Sequence, residues 1–394
     1  MAIYLFFSYI LSHEKVYRIL LFYVVMMSLK QNYIAIITIA IVIAIALTGL
    51  FLRQSSQTPE PVLLKGSGAT FPEAQLRKWI QVFTSINKDV KIEYSAVGSG
   101  QGVSDFLNGL TIFGCSDVPL TSDQLNQAKS KFGTVYQVPY LLGGIAVVYN
   151  VPELQDKQPL RLTPEVLVDI LLGKINYWDD PKIKELNPDL ATLLPHKEIL
   201  FVHRSDGSGT TAVFTSYLSF VSNEWKEKVG TGKTVQWPLD SMGRGQGAQG
   251  NTGVASMVQQ TPYSMGYVEL AYTKGLGVVA LRNNAGKFVL PSADRVSLAV
   301  KNLDVDFTSD IHSLDLLSKI FETTDPEAYP ISSPTYMFLK SPDNYDADTR
   351  KALARWLRFI ATDGQKPESI VEGYAPIPES ISQKIIQLAQ LFDK

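Results

Sequence analysis

The stretch EILFVHRSDGSGTTAVFTSYL, residues 198–218, carries the pattern from which the architecture follows. Its opening, EILFVHR (198–204), is a short apolar run ending in charge, as a buried strand reaching a sheet edge reads. Beyond the corner, Val213, Phe214, Tyr217, Leu218 and Val221 recur at the spacing of one helical face. SDGSGT is therefore predicted at a strand-to-helix corner. Amides at a helix N-terminus point outward and carry partial positive charge, so anions bind there. Ser208, Gly209 and Thr210 fit that geometry: glycine lets an oxyanion approach the backbone, and the two hydroxyls add rotatable donors. Arg204 offers a planar fork of donors suited to phosphate, and Asp206, two residues on, is placed to brace it. Taken alone, the corner reads equally well as a capping loop with a surface Arg–Asp pair.

Working outward, the same plan recurs. VLLK (62–65) leads through GSGATF (66–71) to a helix over about 72–86, and VKIEYSA (90–96) leads through VGSGQG (97–102) to a helix near 103–108. TIFGCSD (111–117) ends a third strand, with Thr121 or Ser122 as cap of the next helix. Alternating strands and helices predict an α/β fold. The corners add Thr70 and Ser99, and three small-residue corners in one chain point to convergence on one anion. They are not a P-loop, since no G-K-[ST] follows the glycines, and GRGQGAQG (243–250) follows no clear strand as a dinucleotide fingerprint should.

Asp117 is out of place beside an anion unless the anion brings a proton. Hydrogen phosphate can donate a hydrogen bond to a carboxylate; sulfate at neutral pH cannot, and a buried group left unpaired discriminates strongly. An Asx-type turn at SDVPL (116–120) is the other reading of this aspartate.

GGIAVVYN (143–150) is a continuous apolar run, as a fully buried strand or one crossing between domains requires. LTPEVLVDILLGK (162–174) predicts a helix with Thr163 as N-cap, Pro164 in the first turn and Gly173 as terminator. MGYVELAY (265–272) is expected to recross to the first unit, MGRGQGAQGNTG (242–253) to form a mobile loop, and the segment after Arg355 to be helical.

The whole chain bounds these readings. Its 394 residues suggest two globular units plus extras. The net charge of -2, with no basic run rich in aromatics, argues against nucleic acid as a partner. A single cysteine, Cys115, excludes an intramolecular disulfide and thiolate metal clusters. IAIITIAIVIAIALTGLFL (34–52) is free of charge over roughly 28 Å of helix, enough to span a bilayer core. His13, Lys15, Arg18 and Lys30 precede it and Arg53 alone follows before the tether QSSQTPEP (54–61), which places the N-terminus inside and the globular part outside. An uncleaved anchor is favoured over a cleaved signal peptide with AIA (44–46) as its site, and initiation at Met26 or Met27 over a second short membrane segment at 19–27.

Catalysis finds little support. GSG (207–209) is not a G-x-S-x-G elbow, and His196 and His203 stand seven apart, the wrong spacing for a helical metal pair. Asp179 and Asp180 read as a solvated helix start. No enzyme activity, metal or cofactor is expected.

GSGATFP, VGSGQGV, FGCSDVPL, LLGKINYWDDP, RSDGSGTTAVFTSYL, GYVELAY and the Trp237–Pro238 pair together resemble the phosphate-binding proteins (PstS type) of bacterial and archaeal phosphate ABC transporters. The resemblance runs from about residue 62 to the C-terminus. It implies an α/β, two-lobed periplasmic-binding-protein-like fold (type II) with two hinge strands, here preceded by an N-terminal transmembrane anchor, closing on phosphate in a deep cleft. The implied division is an N-terminal extension (1–33), the anchor or signal (34–52), a linker (53–61), lobe I in two parts (62–142 and 265–394) and lobe II (143–264). Matched motif by motif, Thr70 and the backbone amide of Phe71 contact phosphate from the first corner and Ser99 from the second; Asp117 takes the phosphate proton; Arg204, Ser208, Gly209 and Thr210 grip from the other lobe; Asp206 pairs with the arginine. The implied role is a monomeric extracytoplasmic receptor at the cell membrane that delivers inorganic phosphate to the permease and ATPase subunits of an importer. Three departures stand out: His203 where bacterial relatives often carry a second arginine, Cys115 in place of a small residue, and no lipid-attachment cysteine. Sulfate, molybdate or tungstate would suit the same fold, with Asp117 arguing against a fully deprotonated anion. An adhesion protein built on a retired lobe is opposed by retention of all the donor residues.

Overall fold

Strand β1 (Val62–Gly68), helix α1 (Glu73–Ile86), β2 (Val90–Ala96), α2 (Ser99–Asn108), β3 (Phe113–Ser116) and α3 (Ser122–Phe132) follow in turn and lead into the long strand β4 (Val135–Asn150). The structure is a computed structural model that describes Arg18, 41–46, Thr48, 60–301, 304–307 and 313–393. β5 (Arg161–Leu162), α4 (Pro164–Leu171), α5 (Pro181–Leu186), β6 (Leu200–Arg204), α6 (Gly209–Val221), α7 (Asn223–Lys228), α8 (Pro238–Ser241), β7 (Gly245–Ala248), α9 (Gly250–Gln260) and β8 (Ser264–Glu269) come next. The short strands β9 (Gly277–Val278), β10 (Ala280–Arg282) and β11 (Phe288–Val289) precede α10 (Ala293–Val300), α11 (Ser313–Phe321), β12 (Ser332–Lys340), α12 (Ala347–Ala361) and α13 (Glu379–Phe392).

The main sheet runs β2-β1-β3-β12-β4-β8-β6-β7, with β9 added beside β4. β1 lies parallel to β2 and β3, and β6 parallel to β7 and β8, whereas β12 is antiparallel to β3 and β4. β4 serves both halves. From Val135 to Gly144 it pairs with β12, and from Ile145 to Asn150 with β8, so its ladder changes partner between Gly144 and Ile145. Close packing explains the glycine pair at this changeover: a Cβ on Gly143 would lie 2.5 Å from the Phe71 ring, and one on Gly144 3.0 Å from Val296.

The sequence boundary at 265 is displaced. β8 sits between β4 and β6, and β10 pairs with β5, so the chain re-enters the first half only at β12. Met265, Tyr267 and Val268 are apolar because β8 is an interior strand buried on both faces, a pattern it shares with a crossing strand. The expected mobile loop at 242–253 is likewise corrected: β7 and the start of α9 occupy it, with Gly245 paired to Phe201 and Ala248 to Arg204. α2 begins at Ser99, earlier than the expected 103, because Gly98 takes φ 92° and sets the turn. Thr121 and Thr163 cap their helices as expected, Thr121 in a reciprocal pairing with Gln124. Both C-terminal helices form; Trp356 on α12 is fully buried against Phe83 of α1, with ring centroids 5.1 Å apart.

Residues 1–60 form a unit of their own, in which Arg18, 41–46 and Thr48 are helical. Among the described residues no helix is long and apolar enough to cross a membrane. Most of the expected span at 34–52, and Met26 and Met27, lie outside the described residues.

Candidate functional site

The three corners of the first half and the β6–α6 corner of the second meet. Gly100 N donates to Gly207 O at 2.7 Å, and the Cβ positions of these glycines would lie within 3.3 Å of the facing backbone.

The first corner is shaped by tyrosines. Tyr94, Tyr272 and Tyr374 donate their hydroxyls to the carbonyls of Ala69, Thr70 and Phe71 at 2.7, 2.9 and 2.5 Å. Three successive peptide oxygens are thereby held outward, which fixes the peptide planes that carry the Thr70 and Phe71 amides. Thr70 Oγ1 accepts from the side chain of Asn251 at 3.0 Å and from its backbone N–H at 3.3 Å. The same Asn251 side chain reaches Thr210 Oγ1 at 3.4 Å, so one amide spans both halves.

At the third corner the turn at SDVPL is held by Ser116, whose hydroxyl bonds the backbone of Val118. Asp117 makes no Asx turn. Its carboxylate, 1% exposed, accepts from Thr335 Oγ1 at 2.9 Å and Ser99 Oγ at 3.5 Å. Burial pushes its pKa up to about 6, against the pull of Thr335, Arg204, Lys233 and Ser99. An acceptor carboxylate is thus aimed into the meeting point of the corners.

Opposite it, Arg204 leaves the end of β6 with its side chain buried. Nε and Nη2 bond Asp206 at 2.7 and 2.5 Å, and Nη1 reaches Thr210 Oγ1 at 3.4 Å. Burial raises the Asp206 carboxyl's proton affinity, but the bonds and charge of Arg204 outweigh it and hold the pKa below the usual value. Asp206 also accepts from Gly250 N at 3.1 Å, which ties the fork to α9. Ser208 is the N-cap of α6, accepting from Thr211 N at 3.0 Å. Gly209 and Thr210 form the first turn, fully or nearly fully buried. The residues read from sequence, Thr70, Phe71, Ser99, Asp117, Arg204, Asp206, Ser208, Gly209 and Thr210, are therefore brought together, and the arrangement supplies hydroxyl, amide and guanidinium donors around one acceptor.

His203 and Cys115 stand apart. Alternation along β6 turns His203 away from Arg204; its ring stacks on Trp237 at 5.3 Å and its Nε2 lies 2.8 Å from Asp240. Cys115 is buried, its thiol pushed up to about 12 by desolvation, with Tyr94 and Tyr140 beside it. His196 pairs with Asp179 and stacks on Tyr177, while Asp180 caps α5. Among the described residues no group of three or more His, Cys, Asp or Glu is placed to hold a metal ion.

Sequence reading missed Asn251, Thr335, Lys233 and the three tyrosines. Asn251 lay in a glycine-rich run read as a loop, and Thr335 on a buried strand with no motif. Lys233 offered one signal, a lone lysine in the glycine-flanked run GTGK before the Trp237–Pro238 pair.

A family model described as the PBP superfamily domain matches residues 55–363. The phosphate-binding protein PstS of Methanocaldococcus jannaschii is 41% identical over 335 residues, 84% of this chain and 86% of the relative. That of Xylella fastidiosa is 38% identical over 333 residues, 84% and 86% respectively, and that of Haemophilus influenzae 36% over 324 residues, 82% and 91%. Among solved structures, a phosphate-binding protein from Stenotrophomonas maltophilia superposes with a TM-score of 0.59 at 18% identity, covering 83% of this chain and 93% of the other. A high-affinity periplasmic phosphate-binding protein bound with phosphate gives 0.64 at 20%, covering 82% and 92%. These two likenesses speak for the fold, and the sequence identities for kinship. This chain belongs to the PBP superfamily and, within it, to the PstS-type phosphate-binding proteins.

Proposed function

We propose that the chain is an extracytoplasmic substrate-binding protein that captures inorganic phosphate and delivers it to an ABC-type importer. The observation that carries this reading is Asp117: a buried carboxylate facing an otherwise donor-rich site, held by Ser99 and Thr335 rather than by a cation. Such a group accepts a hydrogen bond from hydrogen phosphate and repels an anion without a proton, which disfavours sulfate, molybdate and tungstate. Arg204, the hydroxyls of Thr70, Ser99, Ser208 and Thr210, and the amides of Phe71, Gly209 and Thr210 replace the ligand's water. The PstS names of the relatives support the same ligand.

Binding is coupled to closure. Each half supplies part of the donors, so phosphate binds the closed arrangement better than the open one and shifts the population toward it. β4 and the segment entering β12 are the hinge in this reading, with lobe I on the β1–β3 side and lobe II on the β6–β8 side. The closed surface is what permease subunits would recognise. The apolar run at 34–52 and the linker at 53–61 would tether the receptor outside the membrane.

Calorimetric titration with phosphate and, separately, sulfate at neutral pH tests the reading. Tight phosphate binding without sulfate heat is expected; equal binding of both anions, or neither, overturns it.

A further inference from the structure

Arg204 presents its guanidinium from a backbone that the sheet does not fully hold. The pairing of β6 with β8 ends at Val202, and beyond it side chains take over the Arg204 peptide groups. Its N–H donates to the Tyr267 hydroxyl at 3.3 Å, and its carbonyl oxygen lies 3.0 Å from His203 Nδ1. The other ring nitrogen, His203 Nε2, lies 2.8 Å from Asp240 Oδ1 on α8. A carbonyl oxygen and a carboxylate oxygen only accept, so each ring nitrogen must donate to make its bond. Both bonds exist together only when the ring carries two protons, as an imidazolium.

The surroundings suit a buried cation. The ring is stacked on the Trp237 indole, with centroids 5.3 Å apart and planes 28° from parallel, and an aromatic face attracts positive charge. Gly245 of β7 makes room for the counter-ion, since a Cβ there would overlap Asp240 Oδ1. Resting on the phosphate reading, we propose that His203, as an imidazolium paired with Asp240, is a positioning residue for Arg204 and makes phosphate capture conditional on pH. When the ring loses a proton, one bond becomes a contact between two acceptors. Either Nε2 turns a lone pair on the Asp240 carboxylate, or Nδ1 turns one on the Arg204 carbonyl. The peptide from which the Arg204 side chain departs is then released, and the fork it carries loses its aim. Support for binding is therefore present while the ring is doubly protonated and is lost as pH rises.

Other charges around the ring are already engaged. Along β6, Arg204 pairs with Asp206. From β7, the Arg244 guanidinium turns to Met242 and Gly173, and Gly247 brings no side chain. From β8 comes Tyr267, a neutral phenol whose pKa burial pushes up to about 12. Asp240 is the one carboxylate at ion-pair distance from His203 among the described residues.

The test uses the full-length chain in mild detergent. Nitrogen NMR of the chain isotope-labelled at its four histidines reads the protons directly, with His203→Gln as the subtraction that assigns His203. Both His203 nitrogens are expected to give protonated signals at neutral pH, and one bare nitrogen overturns the proposal. Phosphate titrations of wild type, His203→Gln and Asp240→Asn from neutral to alkaline pH read the consequence. Ratios between variants remove phosphate's own titration. The amide of Asp240→Asn can donate to a bare nitrogen or accept from a protonated one, so it satisfies either form of the ring. Wild type is expected to lose about 10-fold more affinity than either variant as pH rises. Parallel profiles for all three overturn the coupling. Should His203→Gln fail to melt cooperatively, Asp240→Asn, changed at an exposed position, serves both arms by moving the His203 signals. A wild-type chain that binds no phosphate at any pH overturns the functional reading instead, and the NMR arm, which needs no ligand, keeps that failure apart from this one.

Discussion

Gly209 opens α6 so close to Asp117 that a Cβ added there would sit 2.5 Å from the carboxylate Oδ2. The first turn of the helix and the acceptor just past the end of β3 thus form facing walls of one cradle. Gly209→Ala is expected to weaken phosphate by at least about 100-fold, since the methyl group fills the place of a ligand oxygen or forces the halves apart. Calorimetry reads the loss, and a ligand-free melting temperature close to wild type would assign it to the cradle rather than the fold.

Asp117→Asn should relax the rejection of sulfate more than it weakens phosphate, because an amide can donate to an unprotonated oxygen. Equal loss for both anions would count against the proton-sensing role. The same variant has a stability signature. The folded pKa of about 6 exceeds the unfolded value of 3.8, so the stabilising contribution of the protonated acid is complete below the unfolded pKa and is lost as pH rises through the folded one. Without ligand, Asp117→Asn should be more stable than wild type at neutral pH, by up to about 3 kcal/mol, with the gap closing in acid. Thermal melts across that range check the sign.

Arg204→Ala should weaken every oxyanion and destabilise the fold by about 3–5 kcal/mol, because Asp206 is left as a buried, unpaired carboxylate. Arg204→Lys should restore little, since an ammonium cannot reproduce the two bonds at 2.7 and 2.5 Å. Urea melts and phosphate titration separate the two effects.

Asn251→Ala removes the amide that joins Thr70 to Thr210 across the halves. Affinity should fall about 10-fold for phosphate with no change in the phosphate-to-sulfate ratio, as the residue steadies closure without contacting the ligand. An altered ratio would place Asn251 among the discriminating groups.

What was legible in the sequence divides by distance along the chain. Arg204, Asp206 and Ser208 to Thr210 lie in one contiguous corner, where strand end, cap and helix start are dictated locally, and Asp117 betrayed itself by a charge that suited no ordinary anion site. Thr335 reaches Asp117 from a segment 218 residues further along the chain, and no local pattern encodes such a meeting. The misplaced return at 265 has a different origin. An interior strand and a crossing strand carry the same unbroken apolar run, so MGYVELAY cannot reveal which neighbour it joins. The glycines of 242–253 suggested mobility, whereas Gly250 is needed for its φ of 70° ahead of Asn251.

The position of β12 also governs how the molecule can be made. β12 spans 332–340 yet lies between β3, at 113–116, and β4, which begins at 135. A nascent chain therefore cannot zip its first sheet until nearly the whole polypeptide has been synthesised. β3 and β4 wait with open edges, and closure of a loop of about two hundred residues precedes the reward. Such a high contact order favours folding after synthesis over folding during it.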